Sequence, residues 1–290
     1  MEVEYSPLQR SASRAAAAAQ SRFFLFTKLQ LSLLAITAFL SGWRPLSDVG
    51  QQRVSLLIAV LMLLSLILSL ALRVAKFDDH WFTARALAEN VKGATWRFIM
   101  QFSPHPENAR RREGEYVDEI GQIRSRLSGA GTVLAGHPEQ GVLVTTWMRK
   151  MHGASLEDKL AAYQSQRIGD QIGWYQEKAR YNSKRELVWF GIITSLSACA
   201  VVVALLHAWF LFSFRPIGGV AALAAATVAW SQAKRFSDLS NSYAVAAEDL
   251  RLLQARSELV RSPEELEQLV RDVEAAISRE HSIWTSRKRS

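Results

Sequence analysis

Gln30, Thr37 and Ser41 fall at i, i+7 and i+11, within about 20° of one line on a helix, in a segment that is otherwise almost wholly apolar. Such a line of amide and hydroxyl groups can border an aqueous path as pore-lining residues, or it can satisfy itself inside a helix bundle by bonding carbonyls. Both readings stay open on sequence alone. Lys28, near the start of the same segment, and Asp78 with Asp79, just after the next one, can ring the mouth of a conduit; equally, the lysine stem can snorkel and the acids can face water. Gly191, Ser195 and Cys199 recur every four residues, a helix-packing track on which another backbone can approach closely. The Ala-rich run Gly218 to Trp230 is the expected partner of that track.

Other chemistry is sparse. The six histidines (His80, His105, His137, His152, His207 and His281) are scattered, with no HExxH, HxE…CxxC or GxSxG pattern around them. Asp78, Asp79 and His80 are consecutive, so on a helix they point about 100° apart and cannot converge on a metal. Cys199 is the sole cysteine, which excludes a disulfide framework and a Cys-rich metal site. The Gly-rich piece 128–141 lacks GxxxxGK[ST] and reads as a loop. No catalytic residue, cofactor or metal is expected, and the chain is not expected to be an enzyme.

Four uncharged stretches carry the residues named first: Leu29 to Trp43, Val54 to Leu72, Leu187 to Phe214 and Pro216 to Ala233. Crossing about 30 Å of hydrocarbon takes roughly 20 apolar residues, and each stretch approaches that length once its flanks are counted. Val54 to Leu72 has no polar face for water, which argues against a soluble core helix. The sequence therefore predicts an all-α membrane protein with four transmembrane helices as two hairpins and long helical cytoplasmic extensions. The lipid bilayer is its first partner. Trp43, Trp189, Trp209 and Trp230 lie at or near span ends, where indoles anchor at the interface.

Whole-chain averages conceal this. The 290 residues are 21% charged with a net charge of +8, but the cations gather beside span ends, as at Arg73, Lys76, Lys178, Arg180, Lys184, Arg185, Lys234 and Arg235. That placement reads as topology and not as a nucleic-acid surface. Cation-rich flanks stay in the cytoplasm, so both termini and the central segment are expected there, with the short connections on the far side of the membrane.

The second hairpin overlays the first at an offset of about 160 residues, bringing Ala88-Glu89 onto Ala247-Glu248. Each half reads as span, turn, span and long helix, the second and fourth spans continuing unbroken into the cytoplasm. The expected organisation is a cytoplasmic tail (1–22), a first two-transmembrane unit with its extension (23–102), a linker with an amphipathic helix (103–154), a second such unit (155–261) and a C-terminal cytoplasmic helix (262–290). Tyr116, Ile120, Ile123 and Leu127 give the linker helix its apolar stripe. Ser155 with Asp158, and Ser262 with Pro263 and Glu265, are helix starts. Leu266, Leu269, Val273, Ile277 and Trp284 stripe the last helix. Two like-oriented hairpins are parallel repeats about an axis along the membrane normal, a geometry that extends to a homo-oligomeric ring.

WFTARALAENVKGATWRFIM after the second span, VTTWMRKMHGASLEDKLAAYQSQRIGDQIGWYQEKARYN before the third, and the closing AISREHSIWTSRK together resemble the bacterial SLATT family. These are two-transmembrane effector domains associated with SMODS nucleotidyltransferases and SLOG nucleotide sensors, and the resemblance covers most of the chain as two units in tandem. It implies an oligomeric membrane effector, an ion channel or pore-forming protein of a nucleotide-linked defence or stress system, with ions as its cargo. A non-conducting scaffold that recruits partners through its cytoplasmic helices is the alternative. No nucleotidyltransferase or sensor domain is legible in these residues, so a nucleotide-signalling partner protein is expected to supply the trigger.

Overall fold

The computed structural model describes residues 3–43, 45, 47–103, 105–127, 129–209 and 217–286, and among them every regular element is helical. The elements are α1 (Pro7–Ser41), α2 (Asp48–Ala75), α3 (Phe77–Met100), α4 (Pro106–Arg126), α5 (Ala130–Ala135), α6 (Thr146–His152), α7 (Leu156–Tyr163), a π-helical turn (Gln164–Gly169), α8 (Asp170–Trp209), α9 (Ile217–Lys234), α10 (Phe236–Ser257) and α11 (Pro263–Ser286). They pack into two compact units. The polar unit comprises Met1–Gln20, Asp78–Ala179 and Asn241–Ser290; the apolar unit comprises Ser21–Phe77 and Arg180–Ser240. Packing thus divides the chain by polarity, across the division into tandem halves.

In the apolar unit, α1 and α2 form a hairpin held by polar as well as apolar contacts. Gln30 Nε2 donates to Ser69 Oγ at 2.6 Å, and Ser69 in turn donates to the Ser65 carbonyl one turn back. A hydrogen bond of this kind inside hydrocarbon contributes on the order of 1 kcal/mol. Where α9 meets α1, Gly219 is buried and a Cβ there would run into the ring of Phe39, so only glycine allows this approach. Towards the other end of α9, Trp230 packs edge-on against Phe24 with centroids 5.9 Å apart and lies 6.5 Å from Trp189.

Two expectations need correction here. The second and fourth spans do not run unbroken into their extensions. Lys76 (φ 44°) ends α2 and Arg235 (φ 52°) ends α9, each a single left-handed residue before the next helix. A non-glycine residue carries a penalty of roughly 1–2 kcal/mol there, and no glycine or proline announces the break. The small track on α8 is also not packed on α9: Gly191, Ser195 and Cys199 are exposed, and a Cβ added to Gly191 would meet nothing within 4 Å.

Three helical runs, Pro7–Ser41, Asp48–Met100 and Leu156–Trp209, are long and apolar enough to cross a membrane, and their most apolar windows are at most 6% buried within the chain. Leu56, Leu63, Leu66 and Leu70 on α2, and Val201 and Leu205 on α8, are more than half exposed. Water does not tolerate so continuous an apolar surface; acyl chains do. The connection at 210–216 lies outside the described residues.

The polar unit has an orthodox buried core. The N-terminal tail joins it: Ala12, Ala15, Ala16 and Ala19 form one buried face of α1, and Ala15 and Ala16 pack with Ala84, Val133 and Trp81. The linker helix forms as expected, with Tyr116 and Ile120 buried. The loop reading of the Gly-rich piece is corrected in part: Ala130–Ala135 form the short helix α5, which buries Val133, while 136–141 carry no helix. Ser155 caps α7 by accepting from the Asp158 amide, and Ser262 and Glu265 exchange side-chain-to-amide bonds at the start of α11. Leu266, Leu269, Val273 and Ile277 are all buried, so the stripe on α11 docks within the chain; the side chain of Trp284 lies outside the described residues.

Candidate functional site

Two places concentrate polar chemistry in otherwise apolar surroundings, one in each unit. In the apolar unit, Lys28, Leu31, Ser32 and Ala35 form one face of α1, and Leu223, Ala226, Thr227 and Trp230 form one face of α9, both at i, i+3, i+4, i+7 spacing. With Trp189 of α8 they line an open cleft of about 270 Å³. Small residues at Ser32, Ala35, Ala226 and Thr227 leave this space; larger aliphatic residues would have filled it. Thr227 satisfies its hydroxyl on the Leu223 carbonyl, and Lys28 has no hydrogen-bond or ion-pair partner among the described residues. Beside the cleft, Lys234 Nζ sits 3.3 Å from the centroid of Phe24 and 5.0 Å from that of Trp230, a cation held over two aromatic faces.

In the polar unit the π-helical turn presents Arg167 to Glu274 on α11. Arg167 Nε donates to Glu274 Oε1 at 2.7 Å and Nη2 to Oε2 at 2.5 Å, and Tyr163 Oη donates to Oε1 at 3.2 Å. Both charges are almost fully buried. A π turn inserts one residue into the helix and turns the following side chains, which is how it can direct an inward arginine. Gly93 on α3 makes room, since a Cβ there would lie 2.9 Å from Glu274 Oε2.

The surroundings respond electrostatically. Burial disfavours charge on Arg167, but the Glu274 carboxylate beside it more than compensates and holds the guanidinium protonated. Burial, reinforced by Glu274, keeps Tyr163 well above the usual phenol range. Burial also pushes Tyr5 up to about 12, against the opposing effects of Arg167 and of the Trp96 indole that donates to its oxygen at 3.1 Å. Lys92 is lowered first by burial and then by Arg167. Arg167 and Glu274 are thus held as a buried charge pair, with the Tyr163 and Tyr5 phenols kept protonated beside it.

The sequence-based candidates are distributed as follows. Thr37 Oγ1 donates to the Leu33 carbonyl and Ser41 Oγ to the Ala38 carbonyl, both at 2.8 Å, while Gln30 is tied to Ser69. Asp78 and Asp79 occupy the first turn of α3, where carboxylates favour the positive end of the helix dipole. Among the described residues no group of three His, Cys, Asp or Glu could hold a metal.

Arg167 and Glu274 were not singled out from sequence. They lie 107 residues apart, beyond any spacing rule. One signal exists in hindsight: Glu274 follows Leu266 and Val270 on the apolar face of α11, where an acid needs a buried partner.

Helices too apolar for water, joined to helices with a conventional polar surface, define a membrane protein whose described regular structure is helical. Residues 7–160 match SMODS and SLOG-associating 2TM effector domain 3, and residues 163–284 match SMODS and SLOG-associating 2TM effector domain 1. The chain belongs to the SLATT family, as two such domains in tandem, and its class is that of membrane effectors in defence systems. No curated protein and no solved structure matches it significantly.

Proposed function

We propose that the protein is a homo-oligomeric, ion-conducting effector of a bacterial nucleotide-linked defence or stress system. It sits in the inner membrane through four spans arranged as two hairpins, with both termini in the cytoplasm. The observation that carries this reading is the apolar surface of α2 and α8, which the chain itself does not cover. α9 supplies the fourth span: Ile217–Lys234 is Ala-rich and ends in Trp230 and Lys234, residues suited to an interface.

One copy holds two hairpins, too few to enclose an aqueous path, so conduction requires several copies. The exposed Gly191, Ser195 and Cys199 suit a copy-to-copy contact, and Gln30, Thr37 and Ser41 supply the candidate lumen groups with Asp78 and Asp79 near its inner mouth. The activity is non-enzymatic, and a separate nucleotide-signalling protein gives the trigger.

A scaffold without conduction is favoured by one observation: Gln30, Thr37 and Ser41 all have hydrogen-bond acceptors within the α1–α2 hairpin and do not require water. Planar-bilayer recording of the purified full-length oligomer separates the two. Discrete current steps, altered in unitary size by Thr37→Val, support conduction. Silent bilayers containing verified, inserted protein support the scaffold.

A further inference from the structure

The cleft between α1, α8 and α9 has the chemistry of a lipid site. Its two long walls are apolar or small: Leu31 and Ala35 on α1, Leu223 and Ala226 on α9. From Lys28 to Ala35 a helix rises about 10 Å, enough to seat the upper part of one acyl chain. Charge sits at one end only. Lys28 lines that end without a partner among the described residues, near the start of the apolar run that begins at Phe23. Trp189 and Trp230 flank it, and Lys234 follows at the end of α9. Indoles beside lysines mark the depth of glycerol and phosphate groups, and an uncompensated ammonium at that depth attracts an anion.

We propose that this cleft binds an anionic glycerophospholipid of the cytoplasmic leaflet, with the phosphate on Lys28, Lys234 contributing to the local positive potential, and one acyl chain along Leu31, Ala35, Leu223 and Ala226. The assignment rests on the membrane reading above. It moves Lys28 from a pore mouth to a structural or regulatory lipid. A zwitterionic lipid fits the same apolar groove but brings its own cation to Lys28 and loses the attraction.

The test uses full-length protein in detergent, analysed by native mass spectrometry with phosphatidylglycerol or phosphatidylcholine titrated in. Phosphatidylglycerol is expected to bind about tenfold more tightly, the worth of one charge-assisted hydrogen bond. Lys28→Gln should abolish the preference and Lys28→Arg should keep it, with helical circular dichroism confirming that both variants fold. Quenching of tryptophan fluorescence by phosphatidylglycerol brominated on its acyl chain should saturate in the wild type and weaken in Ala226→Leu, which fills the groove. Equal affinity for the two lipids, or a preference that survives Lys28→Gln, overturns the proposal. Displacement of the lipid by millimolar glycerol 3-phosphate also overturns it, because the cleft is then a phosphate site and not a lipid site. Protein that stays dispersed without detergent refutes the membrane reading itself, a result distinguishable from a missing lipid preference.

Discussion

Lys76 and Arg235 are counterparts: each is a single left-handed residue between a span and the helix that follows it, at the same offset of about 160 residues that relates the two halves of the sequence. The duplication therefore extends to a backbone detail that side-chain identity does not preserve. Both positions carry cations, and Arg235 also pairs with Asp238 in the first turn of α10.

At an ordinary helical site glycine is about 1 kcal/mol worse than alanine. At Lys76 and Arg235 the order should reverse, because alanine keeps the Cβ that a positive φ penalises. Comparing Lys76→Gly with Lys76→Ala, and Arg235→Gly with Arg235→Ala, removes the charge equally in each pair. Thermal unfolding in detergent should place glycine above alanine at both sites by about 1 kcal/mol. Alanine above glycine at either one contradicts the equivalence.

Breaking the pair of Arg167 and Glu274 should be costly. Glu274→Gln leaves an uncompensated guanidinium in the core, and a loss of about 3–5 kcal/mol is expected from denaturant unfolding. Arg167→Met combined with Glu274→Leu should cost less than either single change, since neither charge then remains buried alone. A double variant as unstable as the sum of the singles argues against a direct pair.

His152 should make the polar unit acid-sensitive. Its ring stacks on Phe98, Nδ1 donates to the Phe98 carbonyl at 2.9 Å, and Nε2 lies 3.0 Å from Ser103 Oγ, which can donate to it when the ring is neutral. Burial lowers its pKa, opposed by the Phe98 bond. Below the usual pKa of about 6.5 the unfolded chain takes up a proton that the folded chain resists, so stability is present above that pH and declines as pH falls through it. The unfolding temperature of the wild type should drop more steeply between about pH 6.5 and pH 5 than that of His152→Asn. Parallel curves contradict this role.

Because Cys199 is the sole cysteine and is exposed on α8, it reports directly on copy-to-copy contact. Oxidative cross-linking in membranes should give a disulfide-linked dimer if the Gly191–Ser195–Cys199 face meets its counterpart, and Gly191→Leu should reduce the yield several-fold. Monomer alone under conditions that oxidise a control thiol excludes contact of that face with its own counterpart.

Long apolar helices such as α2 were legible because twenty apolar residues have few alternatives, and the stripes on α4 and α11 were legible because burial follows a 3.6-residue period. The breaks at Lys76 and Arg235 were not, since local packing and not residue type imposes a positive φ there. The small track on α8 pointed to close packing on α9 that the chain does not make: Gly191, Ser195 and Cys199 are exposed, and α9 meets α1 through Gly219 instead. Polar side chains proved hardest to read. Gln30 found Ser69 across a hairpin and Arg167 found Glu274 across 107 residues, and neither pairing leaves a periodic trace.

The four-span arrangement depends most on α9, since three helices suffice by length and composition and the fourth decides on which side the chain ends. Single cysteines in a Cys199→Ser background, at the exposed Ser13 near the N-terminus, at Ser262 before α11 and at Ser47 between α1 and α2, can be labelled in intact cells with a membrane-impermeant thiol reagent. With four spans, only Ser47→Cys reacts before lysis, and Ser13→Cys and Ser262→Cys both require it. Reaction of Ser262→Cys in intact cells while Ser13→Cys stays protected contradicts the two-hairpin membrane topology.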